Sequence, residues 1–198
     1  ATAKINHLLI KPGQVFSFWR QIGEPLARFG YQPGMILDHG QIKVATGGGL
    51  CQLSNLLFWM TVHTPLTIIE RWRHDYDVFP DSNRQQPFGS GATCCYPNID
   101  LQIQNTTTQT FQLYFQITAD YLIGSYFSDQ PVIYDYKIIE KDHLIKKEWW
   151  GGYSRSNKLY RQIFIPPATL PVSEEFLVSN QAIMMYNPLL KSPPSFLC

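Results

Sequence analysis

The sequence predicts an α+β fold, mainly antiparallel β-sheet with one central helix that starts at Gly47-Gly48-Gly49-Leu50-Cys51. Three observations predict it. After the glycines, Leu50, Leu53, Leu57 and Met60 recur at spacings of three and four, the period of a helix with one buried face. Beyond residue 98 the period becomes two, as in Ile99-Asp100-Leu101-Gln102-Ile103 and Phe111-Gln112-Leu113-Tyr114-Phe115. Between these regions Leu66-Thr67-Ile68-Ile69 carries the β-branched content of a buried strand.

In chain order, Leu8-Leu9 reads as the end of a short helix, Pro12-Gly13 as a turn, and Val15-Phe16-Ser17-Phe18-Trp19 as a strand. Residues 24–46 are mostly irregular, with short strands at Met35-Ile36-Leu37 and Gln41-Ile42-Lys43-Val44 around a turn at Asp38-His39-Gly40. The central helix stops before Pro65, which cannot continue it. Residues 77–91 form a long loop, and structureless loops of that length in compact domains commonly carry function. Ala92–Tyr96 returns as a strand. Ile99–Asn105 and Thr110–Ile117 pair as a hairpin, with Tyr121–Phe127 as a third strand. Two or three more strands fill 132–165, turning at Glu140-Lys141-Asp142-His143 and Trp150-Gly151-Gly152. One strand is expected around Ile163-Phe164-Ile165. The expected organisation is one domain over 1–186 and a loosely held tail over 187–198.

Composition narrows the function classes. A net charge of +1 gives no general pull toward nucleic acid. No apolar run approaches the roughly 18–20 residues that a membrane-spanning helix needs, so no transmembrane segment is expected. Four cysteines, two of them adjacent, are too few for a disulfide scaffold. That usage fits a reduced compartment, or an envelope protein whose thiol is kept for chemistry.

The chemistry points to Cys51. At the first turn of a helix its sulfur lies beside unpaired N–H groups and the positive end of the dipole, which favours the nucleophilic thiolate. Gly48 and Gly49 let a substrate carbonyl approach the backbone, where amides bind a developing oxyanion. The plainer reading is a buried, inert cysteine after a common type of turn. A nucleophilic cysteine needs a base. His63 stands twelve residues further along the helix, about 18 Å of rise, and is out of reach. His74 follows a strand of roughly 25 Å that folds back along the helix, and is the best-placed base. Cys on a helix N-terminus with His on the strand packed against it is also the papain arrangement. Asp75, Asp100 and Asn105 stand as candidates to orient His74, while Arg71 shares its face and suits a substrate carboxylate or an ion pair. Cys51, Cys94, Cys95 and His74 are of the right kind for zinc, but no Cys-x-x-Cys or His-x-x-x-His pair accompanies them. No metal and no cofactor are expected.

Residues 47–59, His63–Arg71, Pro12-Gly13 and Phe16-Ser17-Phe18-Trp19 together resemble the VanW family, named after an accessory protein of B-type vancomycin-resistance clusters. His74, Phe79-Pro80, Gly89, Ala92-Thr93, Asp100-Leu101 and Asn105 extend the resemblance, which covers about 5–127. It implies action on peptidoglycan: a cysteine-dependent L,D-transpeptidase that attacks stem peptides through Cys51 and forms a thioester, with His74 as base. Gln52, Ser54, Thr93 and Asp100 match positions that would support the thiolate or the substrate. The expected partner is the peptidoglycan stem peptide, and the location is the cell envelope, with the cytoplasm as the alternative. A cysteine hydrolase of the same peptides is the neighbouring reading. A non-catalytic cell-wall or protein binding module linked to glycopeptide resistance is the distant one. One position departs from the pattern: many relatives carry Asp before the Ala-Thr pair, where this chain has Gly91.

Overall fold

The structure, a computed structural model, describes residues 1–81 and 84–189. The first half contains α1 (Thr2–Ile5), β1 (Leu9–Ile10), β2 (Val15–Ser17), α2 (Phe18–Ile22), β3 (Pro33–Asp38), β4 (Gln41–Thr46), α3 (Leu50–Thr61), β5 (Thr67–Glu70) and β6 (Tyr76–Asp77). The second half is all strand: β7 (Gln102–Gln104), β8 (Phe111–Ile117), β9 (Leu122–Ser128), β10 (Asp135–Lys147), β11 (Tyr153–Phe164) and β12 (Ser173–Met184). Among the described residues they form four sheets, ordered β1-β8-β9, β2-β7-β5, β3-β4 and β10-β11-β12-β6. All pairings are antiparallel except β12 with β6. The fold is therefore α+β and mainly antiparallel sheet, as the periodicities require.

The helix α3 sits at the centre because its apolar stripe has partners on several sides. Leu53, Leu57 and Phe58 are buried in one cluster with Phe16, Phe18, Leu101, Ile103, Leu113 and Phe115. Burying each such side chain contributes about 1.5–3 kcal/mol, so this cluster holds the helix start in place. The polar end of the helix is closed locally: His63 Nδ1 meets the Trp59 carbonyl at 2.8 Å and its ring lies edge-on to Trp59.

Several local expectations are corrected. The stretch Val15–Trp19 is a strand only as far as Ser17. There the Ser17 hydroxyl accepts from the Arg20 N–H at 3.2 Å and caps α2. Leu8-Leu9 does not end a helix, since α1 stops at Ile5 and Leu9 opens β1. The chain segments 99–105 and 110–117 do not pair with each other: β7 lies between β2 and β5, and β8 between β1 and β9. The buried Asn105 redirects the chain, donating to the Ile10 and Gln109 carbonyls and accepting from the Thr107 N–H. Residues 92–96 make only two isolated bridges, Trp72 with Thr93 and Cys95 with Ile99. Residues 140–143 are not a turn, because β10 runs through them with a bulge between Lys141 and Leu144 and a left-handed Asp142. The strand β12 has no counterpart in the sequence reading. Its first residues are exposed and polar, and only Asn180, Ala182 and Met184 alternate inward. Most of the expected tail, residues 190–198, lies outside the described residues.

Candidate active site

The middle glycine of the three is required because two backbones cross. An added Cβ on Gly48 would stand 2.0 Å from the carbonyl carbon and oxygen of Gly34 in β3. Gly49, at φ 87°, then turns the chain into α3 as its N-cap. The three glycine amides are consumed by the turn: Gly47 donates to Gln32, Gly48 to Ala45 and Gly49 to Met35. Among the described residues none of the loop's hydrogen bonds uses the N–H of Cys51, the second residue of the helix. The Gly48 and Gly49 amides are therefore taken up by the turn and are not free to bind an oxyanion.

The half-buried Cys51 and His74 line one cavity of about 90 Å³, together with Asn55 and Thr93 and an apolar roof from Met35, Leu37 and Ile42. The geometry behind this is simple. Strand β5 runs back beside α3, the Trp72–Thr93 bridge holds the following segment, and the chain emerges at His74 near the start of the helix. Burial, reinforced by the adjacent Arg73 and opposed by Asp75, holds the His74 imidazole below its usual pKa. His74 is therefore neutral at pH 7, the form that accepts a proton. Among the described residues no side chain hydrogen-bonds it, so Asp75, Asp100 and Asn105 do not orient it in this state.

Asp100 has a different assignment. Its carboxylate accepts from the Ser17 hydroxyl at 2.6 Å and from the Trp19 and Leu101 N–H groups at 3.0 and 2.9 Å. It shapes the start of α2 and lines neither the Cys51 cavity nor its neighbour. Arg71 is likewise held by the polypeptide, donating to Gly91 O, Gly89 O and Asn180 Oδ1 at 2.7–2.8 Å. Ser54 is fully buried and donates to Ala92 O at 2.7 Å and Cys51 O at 3.1 Å, fastening the helix start to the 92–93 segment. Gln52, Gly48 and Gly49 line a separate cavity of about 470 Å³ on the other side of the loop. Burial pushes the Cys94 thiol up to about 12.

Sequence reasoning missed Asn55. One helical turn after Cys51, it shares the cavity face. Its Oδ1 accepts from the Ala92 N–H at 2.9 Å, which turns its amide nitrogen away from that bond. The i, i+4 spacing from Cys51 was the available signal.

The model of the "VanW like protein" family matches residues 1–127, and the match includes every residue named at this site except Asn180. The chain belongs to the VanW family. It is 34% identical over 192 residues to the vancomycin B-type resistance protein VanW of Enterococcus faecalis, covering 97% of this chain and 69% of that protein. It is also 31% identical over 109 residues to the uncharacterized protein YoaR of Bacillus subtilis, covering 55% of this chain and 34% of YoaR. No solved structure matches. A Cβ on Gly91 would stand 2.3 Å from Asn55 Oδ1, so a side chain at this position requires Asn55 to shift. The VanW segment does not build the whole surroundings of the site. Strand β12, beyond residue 127, pairs with β6 and presses Asn180 onto Gly89 and Arg71. Among the described residues no three His, Cys, Asp or Glu side chains cluster as metal ligands, and no helix is long and apolar enough to cross a membrane.

Proposed function

We propose that this VanW chain is a cysteine-dependent enzyme of peptidoglycan stem peptides, an L,D-transpeptidase with Cys51 as nucleophile and His74 as base. The observation that carries the reading is the shared cavity: Cys51 from the first turn of α3 and His74 from the segment after β5 line one small, largely apolar space. The name of the Enterococcus relative, a vancomycin resistance protein, supports a substrate in the cell wall.

In this reading His74 takes the Cys51 proton as sulfur attacks the carbonyl carbon of the donor. The Cys51 N–H, at the positive end of α3, donates to the oxyanion. Collapse breaks the carbonyl carbon–nitrogen bond, and the imidazolium returns its proton to the departing amine. The thioester then accepts the amino group of a second stem, whose proton passes to His74 as the Cys51 thiolate leaves. Asn55 and Thr93 line the path of the peptide.

The test is mass spectrometry of the protein incubated with a tetrapeptide-stem muropeptide, wild type against Cys51→Ala. An adduct on Cys51 with cross-linked dimers as product is the expected result. An adduct that yields only shortened stems reassigns the protein as a hydrolase. Peptide binding without adduct or product makes it a binding module.

A further inference from the structure

Beside the Cys51–His74 cavity lies a second one of about 260 Å³, and the two share Asn55, His74 and Thr93 as a common wall. Arg73 lines this neighbour. Its guanidinium stacks on the Phe88 ring at 3.8 Å, and its Nη1 is buried with no acceptor among the described residues. The acids nearby are already taken. Asp77 receives Arg84 at 3.5 Å, Arg155 at 3.4 Å and the Tyr186 hydroxyl at 2.9 Å. Asp81 pairs with Arg84 at 2.8 Å and with Arg155 at 2.7 Å. Three guanidinium groups thus face two carboxylates, and Arg73 is the one in contact with neither. Ser90 lines the same cavity, and its hydroxyl is also buried without a partner among the described residues. Asp77 stabilises the Arg73 charge through space without an ion pair to it, so the guanidinium keeps free donors, and a carboxylate is the group whose two oxygens fit its fork.

We infer that Arg73, with Ser90, forms a carboxylate subsite that holds the free terminal carboxylate of the residue expelled from the donor peptide. The inference rests on the transpeptidase reading for which carboxylate it is. The carboxylate would lie beyond the carbonyl at Cys51, in the cavity that shares Asn55, His74 and Thr93 with the Cys51 site. At about 260 Å³ that cavity has room for the terminal residue that carries the carboxylate.

The experiment is calorimetric titration of the Cys51→Ala protein with a tetrapeptide stem bearing a free terminal carboxylate, and with the same peptide as its terminal amide. The amide is expected to bind about 10- to 100-fold more weakly, the range for losing charge-assisted hydrogen bonds. Arg73→Gln should weaken the acid by a similar factor and leave the amide unchanged, with partial recovery in Arg73→Lys. Equal affinity for acid and amide, no binding of the acid, or an equal loss for both peptides in Arg73→Gln overturns the subsite. The acid–amide comparison needs no change at Arg73, so a variant that folds poorly does not blunt it. The adduct assay on the wild type reports separately: acid–amide discrimination without an adduct retires the transpeptidase and retains the subsite.

Discussion

His74 enters its cavity with the charged form already disfavoured, first by burial and then by Arg73 at the preceding position. The sign of the pH dependence follows. A depressed pKa keeps the base neutral to lower pH, so the acid limb of kcat/KM should fall below about 6.5, the ordinary histidine value. Arg73→Gln removes one depressing influence and should move that limb upward, while Asp75→Asn removes an opposing one and should move it down. A pH–rate profile of the three proteins checks this, and a limb at or above the ordinary value in all of them would remove His74 as the base. Gly91 makes a second residue-scale case. Gly91→Asp brings a Cβ to 2.3 Å from Asn55 Oδ1 and should destabilise the protein by about 1–3 kcal/mol, the range for overpacking. Asn55→Gly in the same chain should restore part of the loss, as chemical denaturation of the single and double variants would reveal.

The start of α3 is where one element depends on another. Gly48 touches backbone rather than side chain, so no rotamer change can make room for a methyl group. Gly48→Ala should cost about 3 kcal/mol or more, seen as a fall in Tm of roughly 6–12 °C. Gly49→Ala meets nothing within 4 Å and carries only the left-handed strain of φ 87°, about 1–2 kcal/mol. Thermal melting of the pair separates close approach from conformational strain, and equal losses would refute the crossing of β3 with the loop. Ser54 works in the same direction, since it ties Cys51 O to Ala92 O and so fixes the helix start against the cavity wall.

At the scale of the whole molecule, the C-terminal sheet props the site through a buried polar chain. Arg71 Nη1 donates to Asn180 Oδ1 at 2.8 Å, and Asn180 Nδ2 donates to Asn157 Oδ1 at 2.8 Å. Asn157 in turn donates to Phe88 O, and Arg161 reaches the Thr64 carbonyl. Asn180→Ala leaves a buried guanidinium one acceptor short and should cost about 2–4 kcal/mol. Because Arg71 also holds Gly89 and Gly91, the same variant should lower kcat/KM although it lies outside both cavities. Activity assayed well below the new Tm tests that second part, and an unchanged rate would make the contact one of stability alone.

The sequence by itself pointed to the α+β class, the central helix with its start at Leu50, and the candidate pair Cys51 and His74; the helix ends at Thr61, short of the proline that bounds it. Each of these rests on a local property: a hydrophobic period, a proline stop, a glycine run, the reach of one strand. It did not determine partners. That β7 and β8 go to different sheets depends on the buried Asn105. That β12 exists at all depends on pairing with β11 and β6, because its own side chains lack a clean alternation. The same holds at the site. Asp100 and Arg71 looked available as residue types, but availability is a property of what surrounds a group, and their polar atoms are met by the fold. Asn55 and Arg73 reached the two cavities through tertiary packing, which alone decides which buried polar atom is left without a partner.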